Sequence, residues 1–163
     1  MDRRDIRPVE LTCLPEVMDT MPENVDAVVH LAALTDVRKS FRARSLYLQE
    51  NLSSTQNVFH VSKWHGVKHL VFFSSSSVHT PPSLQSPYGE SKIRCEKYLR
   101  RVALKNHMRV SIVRPYNVYG QGGRGVINRF LDAAPGSDGF VEMRIHGDGG
   151  QLRDFTYIDD LVS

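Results

Sequence analysis

Three short apolar runs alternate with longer amphipathic stretches along the chain. The runs cover residues 26–33, 67–73 and 109–113, and they are rich in β-branched and aromatic side chains. Runs of this length and composition are typical of strands that are buried on both faces of a sheet. They therefore predict three neighbouring strands of a parallel sheet.

The stretches between these runs have helical periodicity. Apolar side chains recur along one face of residues 46–64, and Gly66 follows as a helix stop. Pro87 opens a second helix over residues 88–104, and a shorter helix is expected over residues 9–21. Strands that alternate with helices build βαβ units, so the chain is predicted to have a doubly wound α/β fold with a parallel sheet.

Composition narrows the function classes. Of 163 residues, 40% are hydrophobic and 24% are charged, which is typical of a globular domain. The net charge of +3 comes from scattered basic residues without interleaved aromatic side chains, so a solvated surface is favoured over a nucleic-acid interface. No apolar run reaches the length of a membrane span, and we therefore expect no membrane association.

The cysteines, histidines and carboxylates do not form a metal-binding pattern. Cys13 and Cys95 are far apart in sequence, and neither they nor the histidines have the spacing of metal ligands. His30 lies inside the first apolar run and is interpreted as a core residue whose ring is hydrogen-bonded within the protein, not as a ligand-binding residue. Free thiols in a reducing compartment are the simplest interpretation of the cysteines, so we expect a cytoplasmic protein without a bound metal.

The ends of the predicted strands indicate where a ligand should bind. In open parallel sheets, ligands bind beyond the carboxyl ends of the strands. The segments directly after the three predicted strands are residues 31–35, 74–77 and 114–120. All three are expected to line one crevice, and the helix that starts near Tyr88 is reached from the second of them.

Tyr88 and Lys92 stand four positions apart at the start of that predicted helix. Positions i and i+4 lie on the same helix face, so an ammonium is expected beside the phenol. A neighbouring positive charge favours the phenolate and is expected to lower the pKa of Tyr88 toward neutrality, which would suit a general acid or base. The spacing alone is common by chance, and its position after a strand and four serines gives it weight.

Five segments together resemble the extended short-chain dehydrogenase/reductase family, in its NAD-dependent nucleotide-sugar epimerase/dehydratase branch. In chain order they are HLAAL at residues 30–34, the helix asparagine Asn51, FFSSS at 72–76 with Tyr88 and Lys92, RPYNVYG at 114–120, and GDGGQLRDFTYIDD at 147–160. The resemblance implies a partial, Rossmann-like NAD(P)-binding domain over residues 1–135. It implies the start of a substrate-binding region over residues 136–163.

The resemblance implies catalytic roles for Ser75, Tyr88 and Lys92. Tyr88, as a phenolate, would take the proton from a sugar hydroxyl while a hydride leaves the same carbon for NAD. Lys92 would hold the nicotinamide ribose and stabilise the phenolate, and Ser75 would hydrogen-bond the reacting oxygen. Ser75 is favoured over Ser76 for this role, although the register inside the serine run leaves both open.

The resemblance also implies two sets of binding residues. Cofactor contacts are expected at Asp5, Ile6, Leu31, Ala32, Ala33, Thr35, Asn51, Ser74, Tyr88, Lys92 and Tyr116. Substrate contacts are expected at Ser75, Ser76, Asn117 and Arg153. A bidentate guanidinium suits a diphosphate, and the alternative for Arg153 is an ion pair with the acidic residues at 154, 159 and 160. NAD is the expected cofactor, with NADP left open.

The function implied by the resemblance is NAD-dependent epimerisation of a nucleotide sugar through a keto intermediate. Dehydratases of the family carry acidic residues where this chain has Ser76 and Ser77, which favours an epimerase; an NADP-dependent 4-reductase is a further option. The family's G-x-x-G-x-x-G pyrophosphate turn is missing from the sequence, so we expect the central fragment of a longer, homodimeric enzyme. The alternative is a non-catalytic remnant that does not bind cofactor alone and acts as an interaction module.

Overall fold

The computed structural model describes residues 8–123, 125–134, 145 and 147–163. The helices in these residues are α1 (Leu14–Thr20), α2 (Val37–Arg42), α3 (Arg44–Trp64), α4 (Pro87–Ala103), α5 (Val126–Ala133) and α6 (Ile158–Val162). The strands are β1 (Ala27–His30), β2 (His69–Phe73), β3 (Arg109–Val113), β4 (Val118–Tyr119) and β5 (Thr156–Tyr157). The chain divides into two compact units, one up to Arg114 and one from Pro115 onward.

The first unit is built on a parallel sheet with the strand order β1-β2-β3. His30 pairs with Phe72, and Phe73 pairs with Val113, so all three strands end at the same edge of the sheet. The segments that follow these strands therefore leave the sheet side by side. The predicted parallel strands are confirmed, and α3 and α4 connect them as crossover helices.

The core lies between one face of the sheet and the helix pair α3 and α4. Leu70 and Phe72 of β2 are completely buried and pack with Phe59 of α3 and with Cys95 and Leu99 of α4. The alternate residues of β2 are only half-buried, so the prediction of burial on both faces is wrong for this strand, because its main apolar contacts lie on one face. This packing fixes the position of α4, the helix that carries Tyr88 and Lys92.

The first helix is shorter than predicted. The apolar pattern predicts a helix over residues 9–21, but α1 begins only at Leu14. Pro15 lies in its first turn, where the missing N–H costs no intrahelical hydrogen bond, and a proline further into the helix would break it. The residues before Cys13 form a turn instead of a helical extension.

The first strand is also shorter than its apolar run, which covers residues 26–33. It ends at His30. In the segment that follows, both main-chain groups of Leu34 are hydrogen-bonded to the side chain of Asn51. The helix α2 that follows was not predicted; its first turn is capped by Asp36, which accepts the Lys39 N–H at 2.9 Å.

The second unit contains a short parallel pair, in which Val118 of β4 faces Thr156 of β5. The Tyr119 ring lies 5.4 Å from the Tyr157 ring and 6.4 Å from the Phe155 ring, measured between centroids. The predicted domain boundary at residue 135 lies outside the described residues and stays a prediction. In the part of the chain that the structure describes, no helix has the length and apolarity needed to cross a membrane.

Candidate active site

Tyr88 lies in the first turn of α4, held there by a helix cap. The Ser86 hydroxyl accepts the Gly89 N–H at 3.0 Å, and Pro87 occupies the first helical position. A side chain at Gly89 would lie 3.1 Å from the Ser77 carbonyl oxygen, so the absent Cβ allows the helix to approach the serine run closely. Tyr88 is thereby placed beside that run, and it is 8% exposed.

Burial dominates the electrostatics of Tyr88. It raises the pKa of the phenol, and a hydrogen bond with Ser75 acts in the opposite direction without cancelling it. The expected lowering of the Tyr88 pKa is therefore wrong for this structure. The reason lies in Lys92, whose Nζ donates to the Phe73 carbonyl at 2.8 Å and lies 4.8 Å from the centroid of the Phe72 ring.

Lys92 is a buried cation at the end of β2. The residue is 2% exposed, and desolvation lowers its pKa to about 8. Its hydrogen bond to the Phe73 carbonyl ties α4 to the last residue of the strand, directly before the serine run. A lysine with this pKa is mostly charged at neutral pH and loses its proton more readily than an exposed lysine.

The first two residues of the serine run lie in different environments. Ser74 is buried, donates its hydroxyl to Glu96 at 2.7 Å, and donates its N–H to the Val113 carbonyl at 2.8 Å. Ser75 is half-buried and accepts the Ser77 N–H at 3.1 Å, which starts the 3-10 turn Ser76–His79. Of Ser75 and Ser76, it is Ser75 that acts on the pKa of Tyr88, and the choice of Ser75 as the catalytic serine stays a prediction.

Asn51 holds the segment that follows β1. Its Oδ1 accepts the Leu34 N–H at 2.8 Å, and its Nδ2 donates to the Leu34 carbonyl at 3.1 Å and to the Ser91 hydroxyl at 2.8 Å. Ser91 in turn donates to the Tyr88 carbonyl at 2.7 Å. A chain of hydrogen bonds therefore connects the predicted cofactor loop to the backbone of Tyr88, and a direct cofactor contact of Asn51 stays a prediction.

The remaining predicted cofactor residues of this loop line open grooves in the first unit. Ala32, Ala33 and Asn51 line a groove of about 240 Å³. Leu31 and Ala32 contribute to a more apolar groove of about 560 Å³ along β1. Small side chains leave the backbone of this loop accessible, which suits a dinucleotide that lies against the strand ends. Thr35 is exposed at the end of the loop.

His30 is a neutral core residue, as the sequence indicates. The ring is 4% exposed, and burial, with the nearby charge of Lys92, lowers its pKa to about 4. The ring nitrogen Nε2 lies 3.2 Å from the Thr55 hydroxyl, which itself donates to the Asn51 carbonyl at 2.7 Å. Because that hydroxyl proton is already used, His30 Nε2 carries the proton that is shared with Thr55.

The predicted substrate residues Asn117 and Arg153 belong to the second unit. Asn117 has a positive φ of 28°, and its Nδ2 donates to the Asp154 carbonyl at 2.7 Å, so it lies next to the loop that carries Arg153. Arg153 is exposed and donates to the Leu152 carbonyl at 2.7 Å. Tyr116 is 38% exposed. The two remaining predicted residues, Asp5 and Ile6, lie outside the described residues.

The motifs and the geometry agree with a match over nearly the whole chain. The sequence model of one family, described as the NAD dependent epimerase/dehydratase family, matches residues 2–163. The chain belongs to the NAD dependent epimerase/dehydratase family. The resemblance inferred from the five segments is thereby confirmed.

The relatives match most of this chain and are about twice as long. UDP-glucuronate 4-epimerase of Thermodesulfobacterium geofontis is 34% identical over 157 residues, which cover 85% of this chain and 46% of that protein. The structure of MoeE5 in complex with UDP-glucose and NAD has a TM-score of 0.81 at 33% identity, covering 98% of this chain and 56% of the other.

A second solved structure also matches most of this chain with about half of its own length. UDP-glucose 4-epimerase of Thermotoga maritima, solved with UDP-glucose, has a TM-score of 0.74 at 26% identity, covering 94% of this chain and 55% of the other. These matches confirm the predicted α/β fold class. The chain spans about half the length of the relatives that it matches.

The sequence-based search for site residues missed Glu96. This carboxylate is 5% exposed, accepts the Ser74 hydroxyl, and pairs with Arg114 through two hydrogen bonds of 2.8 and 2.5 Å. Burial alone would raise the pKa of Glu96, but hydrogen bonds from Arg114 and Ser74 outweigh it and hold the pKa below its ordinary value. The spacing of Tyr88, Lys92 and Glu96, each four residues apart on one helix face, is the signal that could have revealed it.

We expect Asn51→Ala to lower the free energy of unfolding by about 1–3 kcal/mol, because buried partners lose their hydrogen bonds. Urea denaturation followed by circular dichroism measures the change. Gln56→Ala on the same helix is the matched control and should change stability by about 0.5 kcal/mol or less. Equal stability of Asn51→Ala and the parent chain would show that the loop is not held by this amide.

Proposed function

We propose that the chain takes part in NAD-dependent epimerisation of a nucleotide sugar through a keto intermediate. The observation that carries the proposal is the group at the end of β2, where the Ser75 side chain acts on the buried Tyr88 phenol and the Lys92 ammonium is buried one helical turn away. Two hydroxyls that converge on one point can hold the oxygen of a sugar alcohol and exchange its proton.

Tyr88 is the residue that moves the proton in this proposal. Oxidation of a sugar carbinol removes a proton from its oxygen and a hydride from its carbon, and the Tyr88 Oη accepts that proton. Burial holds the pKa of Tyr88 above its ordinary value and Ser75 offsets only part of that rise, so in this proposal the phenolate that a base requires depends on the nearby positive charge of Lys92. When bound, NAD supplies the hydride chemistry, taking up the hydride and returning it to the other face of the sugar carbon.

The remaining residues bind and orient. Lys92 supplies a positive charge and three N–H donors near the strand end, which suits ribose hydroxyls and stabilises a phenolate. Ala32 and Ala33 leave room for a dinucleotide in the groove after β1. On the substrate side, Asn117 and Arg153 offer an amide and a guanidinium, and the guanidinium matches a diphosphate in charge and shape.

Three finer statements belong to the same proposal. The substrate is a UDP-sugar, supported by the UDP-sugar names of the relatives. The protein works in the cytoplasm, which suits two free cysteines. It forms a homodimer, as the family resemblance implies.

Titration with NADH, followed by nicotinamide fluorescence up to millimolar concentration, tests the cofactor half of the proposal. We expect saturable binding, with NADPH measured alongside as the competing cofactor. A subsequent assay for the C4 epimer of a UDP-sugar tests the reaction itself. If neither nicotinamide binds in this range, the chain has no epimerase activity of its own.

A non-catalytic interaction module is the second candidate function, and the exposed side of β1 favours it. Val29 is 54% exposed and Leu31 is 61% exposed, so this edge of the sheet presents apolar side chains to solvent. Exposed edge strands with apolar side chains tend to pair with another chain. Light scattering of the chain at several concentrations, with and without NAD, separates the two functions: self-association with no response to NAD supports the module.

A further inference from the structure

Glu96 joins the ends of two strands to the catalytic helix. It extends the buried face of α4 that carries Tyr88 and Lys92, one turn beyond the lysine. Its Oε1 accepts the Ser74 hydroxyl at 2.7 Å, directly after β2, and the carboxylate pairs with Arg114, directly after β3. Arg100 adds a second guanidinium, 3.6 Å from Oε2.

The strand end before Ser75 is fixed by contacts on both sides. Lys92 holds the Phe73 carbonyl, Glu96 holds the Ser74 hydroxyl, and the Ser74 N–H donates to Val113 on the neighbouring strand. Ser75 is the next residue, and its own hydroxyl starts the following turn by accepting the Ser77 N–H. A displacement of Ser74 would therefore pass directly to the Ser75 hydroxyl.

The buried charge of Glu96 restricts the conformations that the ends of β2 and β3 can adopt. A buried carboxylate is costly unless its partners stay in place, so Glu96 favours conformations in which Ser74 and Arg114 both reach it. The guanidinium of Arg114 neutralises the Glu96 carboxylate, whereas the hydrogen bond from Ser74 links Glu96 directly to the end of β2. The two contacts can therefore be separated by substitution.

We propose that Glu96 is a positioning residue that sets the place of the Ser75 hydroxyl relative to Tyr88 by holding Ser74. This inference rests on the proposed function, in which Ser75 and Tyr88 hold the reacting oxygen. Glu96 itself contacts neither the substrate nor the reacting atoms in this proposal. Its effect is on orientation, and misplacement of a catalytic group lowers turnover more than binding.

Ser74→Ala and Glu96→Gln are the test variants. Ser74→Ala removes only the link to the strand end and leaves the Glu96–Arg114 pair intact, so the fold should be retained. Glu96→Gln removes the charge and keeps the shape. The matched control is Glu90→Gln on the same helix, because Glu90 also pairs with two arginines, Arg44 and Arg94, on the exposed side.

Hydrogen exchange at the Ser77 amide is the readout that does not require activity, because this N–H is bonded to the Ser75 hydroxyl. We expect both test variants to raise its exchange rate about tenfold while the β2 amides keep theirs, because local opening is separable from global unfolding. Unchanged Ser77 exchange, or an equal rise in the β2 amides, would overturn the proposal, since the residue would then act on stability alone.

Turnover of the UDP-sugar is the second readout. We expect kcat to fall about tenfold in both test variants with KM within about twofold, and Glu90→Gln to match the parent chain. Faster Ser77 exchange with an unchanged kcat would also refute the positioning role. If the parent chain lacks epimerase activity, the proposed function fails, and the exchange experiment still decides whether Glu96 sets the serine turn.

Discussion

Tyr88→Phe is expected to lower the turnover of UDP-sugar epimerisation by about 10³-fold, because loss of a general acid or base typically costs 10²–10⁴-fold. The phenyl ring keeps the apolar contacts of a side chain that is 8% exposed, so the fold and the affinity for NAD should change little. The variant removes one oxygen, the atom whose pKa Ser75 influences. Initial-rate kinetics and NADH titration of the same preparation measure the two effects.

Tyr98→Phe is the matched control for this experiment. Tyr98 lies on the same helix, is 9% exposed, and has its hydroxyl 3.2 Å from His60 Nε2, away from the serine run. Its substitution removes the same oxygen and should leave turnover within about twofold, at a stability cost of about 1 kcal/mol. Equal turnover in Tyr88→Phe and Tyr98→Phe would remove Tyr88 from the mechanism.

The buried Lys92 should give the protein a distinctive alkaline stability profile. Its pKa is about 8 in the folded protein against 10.5 for an ordinary lysine, so between these values the unfolded chain binds more protons than the folded chain. Stability attributable to Lys92 therefore rises as pH rises from 8 to 10.5, and is lost as pH falls through the same range. The full difference corresponds to about 3 kcal/mol.

Comparison with Lys92→Met isolates this effect. We expect the difference in unfolding free energy, parent chain minus Lys92→Met, to increase by about 3 kcal/mol between pH 7 and pH 10.5. Urea denaturation at a series of pH values measures it. Lys97→Met, which removes an exposed lysine from the same helix, should show a much smaller change. A constant difference for Lys92→Met would show that the amine is solvated in the folded state.

The strand and helix that form the site could be read from the sequence because their signals are local. The apolar run at 67–73 contains β2 and ends with it at Phe73, the run at 109–113 coincides with β3, and Pro87 begins α4 one residue from the predicted start. The i, i+4 spacing correctly placed Tyr88 and Lys92 on one buried face. These features depend on neighbours in the chain, and the hydrophobic pattern records them directly.

Features that depend on distant residues were not available from the sequence. The spacing of Tyr88 and Lys92 could not show that the ammonium turns to the Phe73 carbonyl, which left burial to raise the tyrosine pKa. The link between Glu96 and Arg114 spans 18 positions and exists only because β3 returns beside β2. Helix α2 and the early end of β1 likewise follow from tertiary contacts that outweigh local propensity.

The hydrogen bonds from Asn51 hold the segment after β1 in a way that tolerates side-chain substitutions in that segment. Both contacts to Leu34 are made with main-chain atoms, while Leu31 is 61% exposed and Leu34 is 36% exposed. The hydrogen bonds that hold the backbone at Leu34 therefore do not depend on which side chain stands there. Substitutions at these two positions are therefore expected to change the surface of the loop while the hydrogen bonds from Asn51 stay in place.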